Sequence, residues 1–565
     1  MRQKLLLAFV YLLCSISFSN AQLNAFKYTQ NKVVTCSNAA VVTAHPLASQ
    51  AGISILKQGG NAVDAAIATQ LALAVVFPNA GNVGGGGFLI ANFNTGKNIT
   101  IDYREKAPGK AYKDMYLDET GNPIKNLSLK KQLASGVPGT VAGLFASMKY
   151  AKLDFKILIE PAIQLAEKGF AITASQANDF NTYRDDFIKA NKNPVAFVKM
   201  GEWKKGDVLI QKDLAATLKR IRDAGMKGFY KGKTAALIIK EMRSGNGIIS
   251  LDDLKKYRAT ERKPVDFTYN GFRIITMPLP SSGGIILQQM LKMVEDRNIG
   301  SMGFQTKESV QLMIEAERRA YADRAFFLGD PDFVKVPVEK ITDPVYLRQR
   351  MNDFIPGVAG SSIVTKEGMI RESEETTHVS IIDKDGNAVS VTTTLNDSYG
   401  SKTVVSGAGF ILNNEMDDFS VKPGHPNMYG ATGNAANAIA PYKRMLSSMT
   451  PAIVLKDNKP FLVVGTPGGT TIPTSVFQSI VNVIDFKLSA EDAVNLPKFH
   501  HQWLPDSVYM ERTFSPVVMQ QLKDMGYKIR TRGTIGRTEM ILIDSKKRNI
   551  IAVADKRGDD GAEGY

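Results

Sequence analysis

Cysteine is nearly absent. The 565 residues contain two, Cys14 and Cys36, and only Cys36 lies beyond the N-terminal segment that reads as a removable signal. A single remaining thiol excludes an intramolecular disulfide, so the fold has to be held by its core, and a thiol exposed in an oxidising compartment is chemically vulnerable. Long apolar runs are missing as well. After the first 21 residues no stretch approaches the roughly 20 residues that a spanning helix needs, which predicts a mature chain without a transmembrane helix. Neither internal repeats nor low-complexity tracts occur. Acidic residues are outnumbered, 55 against 70 basic, giving a formal charge of +15. The basic residues are dispersed (Lys204, Lys205, Lys255, Lys256, Lys546, Lys547) and carry no recognition motif. They read as a solvated basic surface that can draw in small anions, not as a nucleic-acid interface.

The N-terminus has a basic start (Arg2, Lys4), an apolar run from Leu5 to Leu13 and a small-residue end at Ser19-Asn20-Ala21. This is the layout of a secretory signal cleaved after Ala21, and it predicts a periplasmic or secreted protein. Cys14 lacks the small preceding residue of a lipid-attachment site. The remaining length suits two to four domain-sized units or one large domain.

From Ser49 to Phe77 the composition of Ala, Leu, Ile and Val, broken by Gly59-Gly60-Asn61, predicts two packed helices. The second runs from about Ala62 to Val76 and is almost wholly buried. "PNAGNVGGGGF" follows, Pro78 to Phe88. It has neither the Lys-Ser/Thr of a P-loop nor dinucleotide-fingerprint spacing, so its glycines read as close backbone packing. Residues 139 to 353 look like helical scaffold, clearest from Ser309 to Phe327, with turn clusters such as "PLPSSGG" (Pro278 to Gly284). Residues 354 to 375 resemble an exposed linker, and strand patterns with Gly-rich loops come after it.

The linker ends at "EETTHVSIIDKDGNAVSVTTTLND". Lys384-Asp385-Gly386 fits a three-residue hairpin loop with Gly in the left-handed position. That register sets Thr376 across from Thr394, with β-carbons about 5 Å apart. One face then carries Val379, Ile381, Val389, Val391 and Leu395, the other Thr376, His378, Ser380, Thr392, Thr394 and Asn396. From the hairpin alone, the polar face is either solvated or part of a site.

A cut between Glu375 and Thr376 would give the Thr376 site meaning. It would create an α-amino group of pKa about 7.7 to 8.0 beside the Thr376 hydroxyl, a general base built into the nucleophile itself. Thr394 would hold and polarise that oxygen. Before cleavage the same hydroxyl can attack the preceding carbonyl in an N-to-O acyl shift. Oxyanion donors are also needed, and Gly468-Gly469 in "TPGGTT" is the best candidate, although an isolated Gly-Gly pair is a weak signal that reads first as an ordinary turn.

Together, "TTHVSIIDKDGNAVSVTTTLN", "NNEMDDFS", "GHPNMYG", "KRMLSSMTP", "TPGG", "GNVGGGGF", "DYREKAPG" and "FHHQWLPD" resemble the γ-glutamyltransferases of the N-terminal-nucleophile hydrolase superfamily, in order from about Val42 to Tyr565. The resemblance implies an α+β fold, a four-layer αββα sandwich. It also implies a precursor that cleaves itself into fragments 22–375 and 376–565, which form one heterodimeric unit. Thr376 is then the nucleophile, Thr394 its hydroxyl partner, and Gly468 and Gly469 the oxyanion donors. Arg104, Ser447 and Ser448 match the positions that bind the donor's α-carboxylate, and a guanidinium suits that role because it forks onto a carboxylate. Asn396, Glu415 and Asp418 match those that hold its α-amino group, Glu415 standing where some bacterial members have Gln. Tyr429 in "GHPNMYGATGN" matches an aromatic lid residue.

The activity so implied moves a γ-glutamyl group from glutathione or related amides to water, an amino acid or a peptide, with no metal or organic cofactor. His500-His501 lacks the spacing and partners of a metal site and reads as packing. Two alternatives remain. An acylase for glutaryl-type side chains would leave Asn396, Glu415 and Asp418 without a role. A silent, unprocessed binding protein would have no use for Thr376, Thr394, Gly468 and Gly469 together.

Overall fold

The computed structural model describes residues 24–362, 376–422, 424–425, 433–544 and 549–565. The signal segment, Glu375 and Tyr429 lie outside the described residues.

The helix pair forms as its composition predicts. Helix Pro46–Lys57 ends before Gly59, whose φ of 95° is left-handed, and Asn61 caps the next helix, Ala62–Val76, by accepting from the N–H groups of Val63 and Asp64. Asp64 returns the bond by accepting from the Asn61 N–H at 2.8 Å, a reciprocal cap that fixes the start of the helix. Every residue of Ala62–Val76 is buried, because the helix is enclosed between a β-sheet and the helix Phe155–Lys168.

That sheet has seven antiparallel strands, in spatial order Gly561–Gly564, Ala40–Thr43, Thr377–Ile382, Ala388–Thr394, Gly86–Asn92, Asn98–Asp102 and Thr260–Arg262. A second antiparallel sheet of seven runs Val33–Cys36, Asn549–Val553, Glu539–Asp544, Lys459–Gly465, Ala452–Lys456, Phe272–Thr276 and Val265–Tyr269. One apolar core joins the outer face of the first sheet to the helices 46–57, 62–76 and 155–168. Another fills the space between the sheets and continues under the helices Gly283–Glu295, Lys307–Phe327 and Thr471–Ile484. The layers are therefore helix, sheet, sheet, helix, the αββα arrangement.

The hairpin register agrees with the sequence reading. Thr377 pairs with Thr393 and His378 with Thr392, while Gly386 takes φ 84°. Its polar face is not solvated. His378, Ser380, Ser390 and Thr392 are all fully buried between the sheets. The Ser380 hydroxyl donates to the Glu539 carbonyl at 3.1 Å, and His378 Nδ1 lies 2.8 Å from Thr392 Oγ1. Gly465 on the facing sheet makes room for this, since a β-carbon there would lie 2.2 Å from His378 Cε1.

Two regional expectations need correction. Residues 139 to 353 are not helical throughout, because Thr260–Arg262, Val265–Tyr269 and Phe272–Thr276 are strands. The signal was present in Asn270-Gly271, a dipeptide whose φ values of 46° and 80° make the tight turn of a hairpin. Nor is the C-terminal part only strands and loops, since it contributes the helices Thr471–Ile484, Ala490–Asn495 and Pro516–Asp524. Among the described residues no helix is long and apolar enough to cross a membrane. Cys36 is half-buried and donates to the Ala39 carbonyl at 3.3 Å.

Candidate active site

The hairpin's open end forms the floor of the site. Thr376 precedes the first ladder pair, and continuing the register sets it opposite Thr394; both are buried and line one cavity. Thr394 Oγ1 accepts from the Asn396 N–H at 2.8 Å. Asn396 has φ 80°, a conformation that asparagine tolerates, and its side-chain amide donates to the Asn414 carbonyl at 3.0 Å.

The four-glycine loop packs onto this end. A β-carbon on Gly84 would lie 2.1 Å from the Ile411 carbonyl oxygen, and one on Gly85 2.1 Å from that of Thr394. Asn82 secures the approach. Its amide donates to the Thr394 carbonyl at 2.8 Å and its oxygen accepts from the Gly85 N–H at 3.0 Å and the Thr140 hydroxyl at 2.6 Å. The glycines thus serve close backbone packing, as their lack of phosphate-loop partners suggests.

Glu415 and Asp418 lie on the one-turn helix Glu415–Asp418, whose start is fixed by Asn413 Oδ1 accepting from the Glu415 N–H at 3.1 Å. Arg104 follows strand Asn98–Asp102 and is fully buried. Its Nη1 is 2.6 Å from Glu415 Oε2, its Nη2 donates to Asp418, and Glu105 stands 3.6 Å away. Burial opposes the arginine's charge, but Glu415, Asp418 and Glu105 outweigh it and hold its pKa above the ordinary value. For the acids the balance is reversed. Burial raises the pKa of Glu415 well above the usual range, and that of Asp418 as well, against the pull of Arg104. Glu105 is pushed up to about 8 in the same way.

Ser447 and Ser448 are supported from below by the "PLPSSGG" turn. The Ser447 carbonyl accepts from the Ser282 N–H at 2.8 Å and the Ser282 hydroxyl at 2.6 Å. Gly468 and Gly469 have φ of 136° and 54°, values that favour glycine, and precede helix Thr471–Ile484. The Gly468 carbonyl accepts from the Thr471 N–H and hydroxyl at 2.9 and 2.8 Å, which braces the turn.

One cavity therefore gathers Thr376, Thr394, Asn396, Arg104, Glu415, Asp418, Ser447, Ser448 and Gly469, with Gly468 next in the chain. Arg324, Met449, Thr470 and Ile472 also line it and were not anticipated. A signal for Arg324 existed: in the helix Lys307–Phe327, Glu317, Tyr321 and Arg324 recur on one face and are buried, so this helix carries charge where an ordinary core helix carries only apolar residues.

The histidine pair is elsewhere and fully buried. His500 Nδ1 is 2.9 Å from Thr474 Oγ1 and Nε2 is 2.9 Å from Gln502 Oε1, while the His501 N–H donates to Glu317 at 2.8 Å. Among the described residues no His, Cys, Asp and Glu side chains group as metal ligands.

The chain is similar to known proteins over nearly its whole length. Glutathione hydrolase proenzyme of Escherichia coli (strain K12) is 45% identical over 531 residues, 93% of this chain and 91% of its own. The crystal structure of cephalosporin acylase from Bacillus halodurans superposes with a TM-score of 0.83 at 26% identity, covering 95% of this chain and 98% of that one. Helicobacter pylori gamma-glutamyltranspeptidase matches with a TM-score of 0.56 at 45% identity, covering 58% of this chain and 94% of that one. The model of the Gamma-glutamyltranspeptidase family matches residues 48–565, and with relatives at this identity over nearly its whole length the chain belongs to that family.

Proposed function

We propose that the protein is a self-processing γ-glutamyltransferase and hydrolase, exported to the periplasm or secreted, that cleaves glutathione and related γ-glutamyl amides. The observation that carries this reading is the shared cavity. It gathers a threonine hydroxyl, two serines and an arginine with the two carboxylates paired to it, groups of both signs that are complementary to the zwitterionic end of a free amino acid.

In the precursor, Thr376 Oγ1 attacks the Glu375 carbonyl carbon and the peptide C–N bond breaks as the nitrogen takes a proton, leaving an ester. Water opens it to a Glu375 carboxylate and a Thr376 amine. Fragments 22–375 and 376–565 then stay together as a heterodimer. In turnover the new amine accepts the hydroxyl proton while Oγ1 bonds to the donor's γ-carbonyl carbon. Arg104, Ser447 and Ser448 hold the donor's α-carboxylate; Asn396, Glu415 and Asp418 hold its α-ammonium. Thr394 orients Oγ1, and the N–H groups of Gly468 and Gly469 face the developing oxyanion. The leaving nitrogen takes the proton as its bond to carbon breaks, and water or an amino group of an amino acid or peptide then displaces Oγ1. Tyr429 is assigned to close over the donor.

A denaturing gel tests the reading. Wild type runs as two fragments of 354 and 190 residues, counted from 22–375 and 376–565, and Thr376→Ala runs as one chain. An uncut wild type would favour the silent binding protein. The acylase alternative draws on the Bacillus halodurans likeness, but Glu415 and Asp418 suit an ammonium that glutaryl groups lack. Faster turnover of glutaryl anilide than of γ-glutamyl anilide would overturn the assignment.

A further inference from the structure

Arg324 is a second guanidinium in the cavity, 7% exposed. Its Nε donates to Ser282 Oγ at 3.0 Å and its Nη2 to Ser448 Oγ at 3.1 Å. The two arginines differ in electrostatic state. Arg104 is in contact with Glu415 and Asp418. Arg324 has no carboxylate within ion-pair distance among the described residues, and Asp418 acts on it only at longer range. Burial accordingly lowers its pKa from the ordinary arginine value. A buried cation without a counter-ion is costly, and an anion entering the cavity relieves that cost.

The serine contacts add direction. Ser448 Oγ accepts from Arg324, so its own O–H is turned away from the guanidinium. Ser282 Oγ also accepts from Arg324 and donates to the Ser447 carbonyl at 2.6 Å, which ties the arginine to the segment carrying both serines. An anion lying against Ser448 would thus meet a hydroxyl donor with a full positive charge directly behind it.

We propose that Arg324 is a second anchor for the donor's α-carboxylate, acting on it directly and through Ser448, and that it sets the preference for donors that carry this carboxylate. The proposal rests on the γ-glutamyl reading above. Arg104, neutralised by the acids that receive the ammonium, aligns the two ends of the donor. Arg324 supplies the uncompensated charge.

The test compares two anilides on the processed enzyme. γ-Glutamyl anilide carries both α-groups, and 4-aminobutyryl anilide keeps the chain and the ammonium but lacks the carboxylate. In Arg324→Gln the KM for γ-glutamyl anilide rises at least tenfold with kcat within a few-fold. The ratio of kcat/KM between the two donors falls by at least tenfold, and Arg324→Lys restores part of it. Equal losses on both donors would mark Arg324 as merely structural, and an unchanged ratio would equally overturn the proposal. If Arg324→Gln accumulates uncut, the ratio is read on Arg324→Lys, which keeps the charge but not the planar fork, and a wild-type ratio there overturns it. Wild type that fails on γ-glutamyl anilide would sink the underlying reading, and this inference with it.

Discussion

Arg104→Lys measures how much the site depends on a forked cation. In the folded protein Nη1 lies 2.6 Å from Glu415 while Nη2 donates to Asp418, and Nε points at the Met445 carbonyl at 3.4 Å. One planar group thus spans two carboxylates and a backbone oxygen. A lysine ammonium is a point charge on a shorter reach and serves one carboxylate at a time. The other loses a charge-assisted hydrogen bond, worth about 1.5–3 kcal/mol. At about 1.4 kcal/mol per factor of ten, the equilibrium cost is roughly 10- to 150-fold. On the proposed donor side, a bidentate seat for the α-carboxylate would become a single contact. The KM for γ-glutamyl anilide should therefore rise by about tenfold or more, with a smaller fall in kcat, since the scissile bond lies at the other end of the donor. Initial rates over a range of donor concentrations, on protein that a gel shows to be cleaved, give both constants. An unchanged KM on fully processed protein would remove Arg104 from donor binding.

Gly465→Ala tests the polar seam between the sheets. With the new β-carbon 2.2 Å from the His378 ring, the sheets must part or the ring must shift, at a cost of about 1–3 kcal/mol; an unaltered thermal midpoint would refute that packing. A pH prediction rests on the buried histidines. Burial lowers the pKa of His500 to about 3, so the folded state stays unprotonated there while the unfolded chain takes up a proton near 6.5. Its contribution is complete above pH 6.5 and is lost as pH falls toward 3, at about 1.4 kcal/mol per pH unit. Glu317 and Glu539, whose pKa burial raises, act with the opposite sign. The decisive quantity is therefore the difference between wild type and His500→Gln in denaturant unfolding from pH 6.5 to 4.5: the variant should have the shallower acid loss, and parallel curves would show that His500 is not held neutral.

Much of the site was legible because its geometry is local. The three-residue loop at Lys384-Asp385-Gly386 fixes the hairpin register, and the register alone sets Thr376 against Thr394. The helix pair was equally readable, since Gly59-Gly60-Asn61 ends one helix and caps the next. The fate of the polar face was not. Whether His378 and Ser380 meet water or a second sheet depends on strands such as Lys459–Gly465, more than 75 residues away in sequence, and no local pattern announces them. Arg324 was missed for a similar reason. Its helix was predicted, but the serines that turn it into part of a site come from two distant loops. Arg104, Glu415 and Asp418 were named only through resemblance, because nothing local shows that residues some 300 positions apart form one ion cluster.

The strand directly after Thr376 has neighbours on both flanks, Ala40–Thr43 on one side and, beyond its hairpin partner, Gly86–Asn92 on the other. Across the facing sheet, segments from before and after position 376 are likewise interleaved. Scission ahead of Thr376 would therefore alter connectivity while leaving the ladder hydrogen bonds of the described strands in place. The proposed products would be interlocked halves with no separable interface, so they should denature as a single cooperative body, since neither half would have a complete core to fold around by itself. Dilution will not pull them apart, and pieces expressed alone should be insoluble until they meet.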